Sequence, residues 1–222
     1  MAEGSERVNE SILLIGATGG TGRAVLRQGL ARGLRITALV RDPARLTDHD
    51  NRLRVVPGDL LRRDSLDPAF APRPAVVICA AGVYSRRPDD RLSRGTANLL
   101  DAMQSAGTPR LVCVSSLGAG DSAGQGNLPA RLIQRLFLSE VLADKTRQEA
   151  LIRASGLDWT IFRPPQLTNA PDRGPALVCW TGNAPGQPVN WRLSRATLAR
   201  LLLDEALSPR YSGRALNLSE AA

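Results

Sequence analysis

The heptapeptide Gly16-Ala-Thr-Gly19-Gly-Thr-Gly22 follows the apolar run SILLI and opens a segment of helical spacing. Glycines so placed permit a tight turn and a close approach of backbone to an anion. A helix starting there turns free N–H groups towards that anion. Thr18 and Thr21 add hydroxyl donors. The chemistry expected is the cradling of a pyrophosphate, and the alternative is a turn without a ligand. The next apolar run ends Ala38-Leu39-Val40 and is followed by Arg41. An acid closing that strand would accept a bond from a ribose 2′-hydroxyl, but Asp42 stands one place late, and Arg45 lies one helical turn beyond Arg41. Two planar guanidinium groups suit a phosphate, so Arg41 and Arg45 favour a 2′-phosphate and hence NADP(H). The alternative is two surface arginines in an arginine-rich chain, for Lys145 is the only lysine among 29 basic residues.

Other reactive side chains point to less. Cys79, Cys113 and Cys179 lack metal-ligand spacing, and His49, the only histidine, sits in the polar stretch TDHDN. Buried thiols, a solvated histidine and no metal are expected. Ser116 as a hydrolytic nucleophile is excluded by the missing G-x-S-x-G elbow and by the remoteness of His49. Tyr84 is a candidate to stack on a planar ligand or donate its phenol proton, the alternative being a loop or partner contact. Trp180 and Trp191 either line an apolar pocket or pack a lid, and Asp121 reads as solvated.

The elements that must position these residues alternate. Strands are expected at Ser11–Ile15, Ile36–Val40, Leu53–Val56, Ala75–Cys79, Leu111–Ser115 and Trp159–Phe162. Helices are expected near Gly20–Ala31, Ser93–Ala106, Arg131–Ala154 and Arg195–Leu207. Such βαβ alternation predicts an α/β chain with a doubly wound parallel sheet of Rossmann-like type. The Gly-rich loop Leu117–Pro129 follows a strand end, and residues 163–190 form a small C-terminal cap on the substrate side. Residues 1–222 are thus expected to form a single domain. The charge of +8 comes from scattered arginines, with three Trp, two Tyr and three Phe for stacking, which argues against nucleic acid. No apolar run reaches a membrane span, and MAEGSERVNE has no signal-peptide core, so a cytoplasmic protein is expected.

In order, GATGGTG, LVRDPARL, VVPGDL, CAAG, VSS and SGLDWTIFRPPQL resemble the atypical short-chain dehydrogenase/reductases. The nearest pattern is the NAD(P)-binding family that contains biliverdin reductase B (flavin reductase) and the NmrA-like proteins. The resemblance extends over essentially the whole chain and is specific for the family, but poorly specific for a substrate. It implies that Gly16, Thr18, Gly19, Thr21 and Gly22 hold the pyrophosphate and that Arg41 and Arg45 hold the 2′-phosphate. It places Asp59 and Leu60 at the adenine, and Ala80, Ala81 and Gly82 along the ribose and phosphates. Ser115 and Ser116 would face the nicotinamide, with Pro164 and Pro165 closing over it. Lys145 matches the lysine of the Tyr-x-x-x-Lys pair and would bind the nicotinamide ribose, the alternative being an exposed helix residue. Ser116 and Lys145 are therefore the candidate catalytic residues.

Two departures stand out. Val141 occupies the tyrosine position, and Gln166 stands where the flavin/biliverdin branch has a histidine. The resemblance implies an NADPH-dependent oxidoreductase passing a hydride to a planar acceptor such as a flavin or quinone. The alternative is a non-catalytic, NmrA-like NADP(H)-binding redox sensor acting through a protein partner. Epimerase, dehydratase and assembly-factor roles form a third class. The helices Ser93–Ala106 and Arg131–Ala154 offer either a dimer surface or a buried face.

Overall fold

Ile12 and Leu14 enter one apolar cluster while Leu13 and Ile15 enter another, so strand β1 (Ser11–Ile15) is buried on both faces. The same double burial holds for β4 (Val76–Cys79) and β5 (Arg110–Val114). In the computed structural model, residues 11–83, 87–125, 127–172, 174, 177–181 and 191–220 are described. Tyr84, much of the 163–190 segment and the side chain of Cys179 lie outside them.

The main sheet runs β3 (Leu53–Pro57), β2 (Arg35–Val40), β1, β4, β5, β6 (Asp158–Arg163), β10 (Arg214–Glu220), β8 (Leu177–Trp180). The first seven strands are parallel; only the edge strand β8 is antiparallel, paired with β10. Helices α1 (Gly20–Ala31) and α5 (Arg195–Leu207) cover one face, and α2 (Arg91–Ala106) and α4 (Ser139–Ala154) cover the other. Short strands β7 (Gln166–Thr168) and β9 (Arg192–Ser194) pair separately in parallel. The doubly wound, Rossmann-like sheet expected from the alternation is therefore present, and the six expected strands start and end within one residue of their expected bounds.

Several elements differ from expectation, β7 and β9 among them. The helix expected over Arg131–Ala154 is two, α3 (Leu128–Phe137) and α4, parted at Leu138, whose ψ of 4° leaves helical geometry. No glycine or proline marks this break, and Pro129 falls in the first turn of α3, where its missing N–H is tolerated. Strand β10 escaped notice because Asn217, Ser219 and Glu220 interrupt its apolar pattern, although all three are buried. The Glu220 carboxylate accepts from the Ser194 amide (3.0 Å), and Asn217 Nδ2 donates to Gln125 Oε1 (3.2 Å). Strand β8, within the segment expected as a cap, extends the main sheet instead of standing apart from it. The helices offered as a dimer surface pack on each other: Gln148 Nε2 donates to Thr96 Oγ1 (2.9 Å), and the Asp144 carboxylate accepts from the Leu92 and Ser93 amides at the start of α2.

Candidate functional site

Strand β1 leads into α1 on one face of the sheet, whereas β4 leads towards α2 on the other. Their following loops diverge and leave a crevice at the carboxyl ends of the strands. A cleft of about 310 Å³ occupies this crevice. Gly16, Thr18, Gly19, Arg41, Arg45, Asp59, Leu60, Ala80, Ala81 and Gly82 line it. Ten of the residues singled out from the sequence thus share one cavity.

The glycines are required by the turn itself. Gly16 has φ +84°, and a Cβ there would lie 2.8 Å from the Ala80 carbonyl. A Cβ on Gly22 would lie 2.1 Å from the Gly16 oxygen, so helix and loop touch through glycine alone. Thr21 and Gly22 are buried in the first turn of α1 and shape the cradle without lining the cleft. Gly19 is the N-cap, no side chain caps this helix end, and no acid stands in its first turn. An anion is the partner that suits such an end. Gly82 faces open space. These features fit a dinucleotide pyrophosphate.

At the other end, the Asp42 carboxylate accepts from the Ala44 amide (3.1 Å), capping the turn Pro43–Arg45. That acid is engaged in its own turn, leaving Arg41 and Arg45 exposed along the cleft. Arg23 ties the two halves together, donating from Nε to the Thr18 carbonyl (3.1 Å) and from Nη2 to the Arg45 carbonyl (2.8 Å). Sequence reasoning missed it, because its role depends on folding. Asp59 accepts from the Leu61 amide (3.1 Å), and Asn98 Nδ2 donates to the Leu60 carbonyl (2.7 Å), fixing this wall. Gly58 and Arg91 also line the cleft. Gly58 stood within the motif VVPGDL, but Arg91 had no distinguishing signal. The Arg91 guanidinium holds the Asp89 carboxyl down at about 2. Arg195, another unforeseen residue, lies over the start of α1, where a Cβ on Gly20 would come within 2.7 Å of its Nε.

Ser115, Ser116, Lys145, Pro164 and Pro165 are not in the lining of that cleft; they gather at the carboxyl ends of β5 and β6 and on α4. Ser115 is buried and its hydroxyl donates to Glu149 Oε1 (2.5 Å). Glu149 also accepts from Arg163 Nε (2.9 Å), and Arg163 pairs in turn with Asp121. Asp121 is thus solvated yet ion-paired: partial burial pushes its carboxyl up, but the Arg163 bond and the charges of Arg163 and Arg153 together hold it below the usual range. Ser116 is half-buried, and the Leu117 amide donates to the Pro164 carbonyl (2.9 Å), tying the serine loop to the double-proline turn. Lys145 is buried, not solvated: its Nζ donates to the Val114 carbonyl (3.1 Å), and burial lowers its pKa. Beneath it, Cys79 and Cys113 are register partners on β4 and β5. The contact between the two thiols holds Cys79 down and pushes Cys113 up. Trp180 and Trp191 meet edge to face (6.0 Å between centroids) against Leu117. Val141 is half-buried and Gln166 exposed. Among the described residues no group of His, Cys, Asp and Glu could hold a metal ion, and no helix is long and apolar enough to cross a membrane.

The sequence model of the NAD(P)H-binding family matches residues 16–209. An uncharacterised chloroplastic protein of Arabidopsis thaliana is 34% identical over 180 residues, covering 76% of this chain and 63% of its own length. The chloroplastic protein TIC 62 of the same plant is 29% identical, covering 72% of this chain and 28% of its own length. The chain therefore spans less than two thirds of these relatives. Among solved structures, the anaerobilin reductase ChuY of Escherichia coli O157:H7 superposes with a TM-score of 0.79 at 23% identity, covering 95% of this chain and 97% of that one. A short-chain dehydrogenase/reductase of Veillonella parvula, solved with NADP, superposes with a TM-score of 0.80 at 18% identity, covering 96% and 95%. Both likenesses describe the fold.

Proposed function

The chain belongs to the NAD(P)H-binding family, and we propose that within it this protein is an NADPH-dependent reductase of a planar acceptor such as a flavin or quinone. The observation that carries the cofactor preference is the pair Arg41 and Arg45 on the cleft wall, with Asp42 engaged in its own turn. Ser116 and Lys145 serve the reacting end, and residues 1–222 work as one unit with the 163–190 segment on the substrate side. NADPH supplies a hydride when bound. The chain's own contribution is to orient: the uncapped start of α1 receives the pyrophosphate, Asp59 and Leu60 bound the adenine, and the Leu117–Pro164 bond keeps Ser116 beside the Pro164–Pro165 turn.

The choice of acceptor follows from the proton. The Ser115 hydroxyl is held by Glu149, Lys145 by Val114, and Val141 has no proton to give. An acceptor that takes a hydride and then collects one proton from water makes no demand on such donors, and a flavin or quinone does both. A redox sensor of NmrA-like type, holding NADP(H) without turnover, is the second reading, favoured by the same internally engaged side chains. Oxidation of NADPH followed at 340 nm, with FMN, FAD, a soluble quinone and biliverdin as acceptors and NADH in parallel, separates the two. Turnover near the usual enzyme range on one acceptor, with preference for NADPH, is expected. Tight NADPH binding without turnover on any acceptor would assign the sensor role.

A further inference from the structure

Large apolar side chains left in solvent are concentrated on α3. Leu128, Leu132 and Leu136, spaced i, i+4 and i+8, are 79%, 58% and 60% exposed and form one row, with Ile133 beside it. Arg131 and Arg135 border the row; both are exposed and outside any ion pair among the described residues. The helix contains no acid. Its opposite side rests on the body through Gln134, whose Nε2 donates to the Gln125 carbonyl (3.2 Å) and whose side chain packs on Gly118. Among the described residues the apolar row is left in solvent.

We propose that α3 docks the protein on an anionic lipid bilayer. The helix would lie in the interface plane, with the leucine row at the acyl boundary and Arg131 and Arg135 at the lipid phosphates. Charge complementarity selects this occupant: two free guanidinium groups, no acid in the helix, and a chain of net charge +8. A second copy is the weaker fit. A helix of ten residues is only about 15 Å long, and its exposed side chains alone fall short of the about 800 Å² of accessible surface that each partner buries in a stable protein interface. Two-fold pairing through α3 would also bring Arg131 and Arg135 of both copies together. A bilayer needs neither large area nor an opposing acid, and a surface contact is compatible with the absence of a spanning helix among the described residues. Docking does not depend on the chain being a reductase.

Co-sedimentation of the full chain with vesicles of phosphatidylcholine containing about one third phosphatidylglycerol, against phosphatidylcholine alone, tests this. Binding is expected to the anionic vesicles, and it should weaken steeply with salt. Leu132→Glu with Leu136→Glu should reduce it roughly tenfold or more. Arg131→Gln with Arg135→Gln should weaken it and flatten the salt dependence; circular dichroism melts report the fold of each variant. If the leucine variant fails to fold, the arginine variant decides alone, unchanged binding ruling docking out. Docking is equally ruled out if the chain ignores anionic vesicles or if the folded leucine variant binds as well as the parent. A dimer in solution that the leucine variant splits would assign the face to a second copy instead.

Discussion

At the scale of single residues, Lys145 shows how position alters a group. The sequence marked it as the only lysine and left open whether it was solvated; folding buries it against the Val114 carbonyl. Desolvation lowers its pKa from 10.5, and the neighbouring Cys113, Cys79, Glu149 and Asp144 only partly oppose that shift. Between the lowered folded-state value and 10.5 the unfolded chain binds the extra proton, so Lys145 makes stability rise with pH across that window. Lys145→Met removes the titrating group. Its stability relative to the parent, measured by urea unfolding, should be highest at neutral pH and fall as pH rises towards 10.5. A difference that stays constant or widens would show that desolvation of Lys145 is not felt. The Arg23 bridge between Thr18 and Arg45 was illegible beforehand, because nothing in spacing announces a side chain that reaches two distant carbonyls.

At the scale of elements, the glycines that build the turn between β1 and α1 differ from Gly82, in the segment after β4, which leaves room for a ligand. Gly22→Ala would drive a methyl to 2.1 Å from the Gly16 oxygen. It should destabilise the protein by about 1–3 kcal/mol or more, with loss of NADPH binding. Gly82→Ala meets nothing within 4 Å, so its melting temperature should match the parent while NADPH affinity falls. A stable Gly22→Ala protein with full affinity would contradict the cradle. The bond set Ser115–Glu149–Arg163 joins β5, α4 and β6 in the interior. Glu149→Ala leaves the Arg163 guanidinium buried with only exposed Asp121 as its acid, and should cost about 3–5 kcal/mol in urea unfolding. Apolar runs made β1 to β6 legible, those of β1, β4 and β5 being buried on both faces. The α3–α4 break was not, since an unbroken helical pattern crosses Leu138. Strand β10 was hidden by polar residues whose partners come from distant segments.

At the scale of the whole molecule, strand order does the positioning. With β1 and β4 adjacent and their connections on opposite faces, the glycine loop, the end of β2 and the Ala80–Gly82 segment meet around one cleft, although sixty-odd residues of chain separate them. The motifs were legible because their spacing is local. That Ser115, Ser116 and Lys145 stand apart from this cleft, with Ser115 held by α4 and Lys145 by β5, was not, because it depends on how α4 seats on the sheet. Family membership implies NAD(P)H as the cofactor; the proposed choice of NADPH over NADH rests on two guanidinium groups. Calorimetric titration of NADPH and NADH into the parent chain and into Arg41→Ala with Arg45→Ala tests that choice most directly. The parent should bind NADPH more tightly than NADH. The double variant should lose roughly tenfold or more in NADPH affinity, with NADH nearly unchanged, since each charge-assisted contact to a phosphate is worth about 1.5–3 kcal/mol. Equal losses for both dinucleotides, or no loss for either, would contradict a 2′-phosphate held by Arg41 and Arg45.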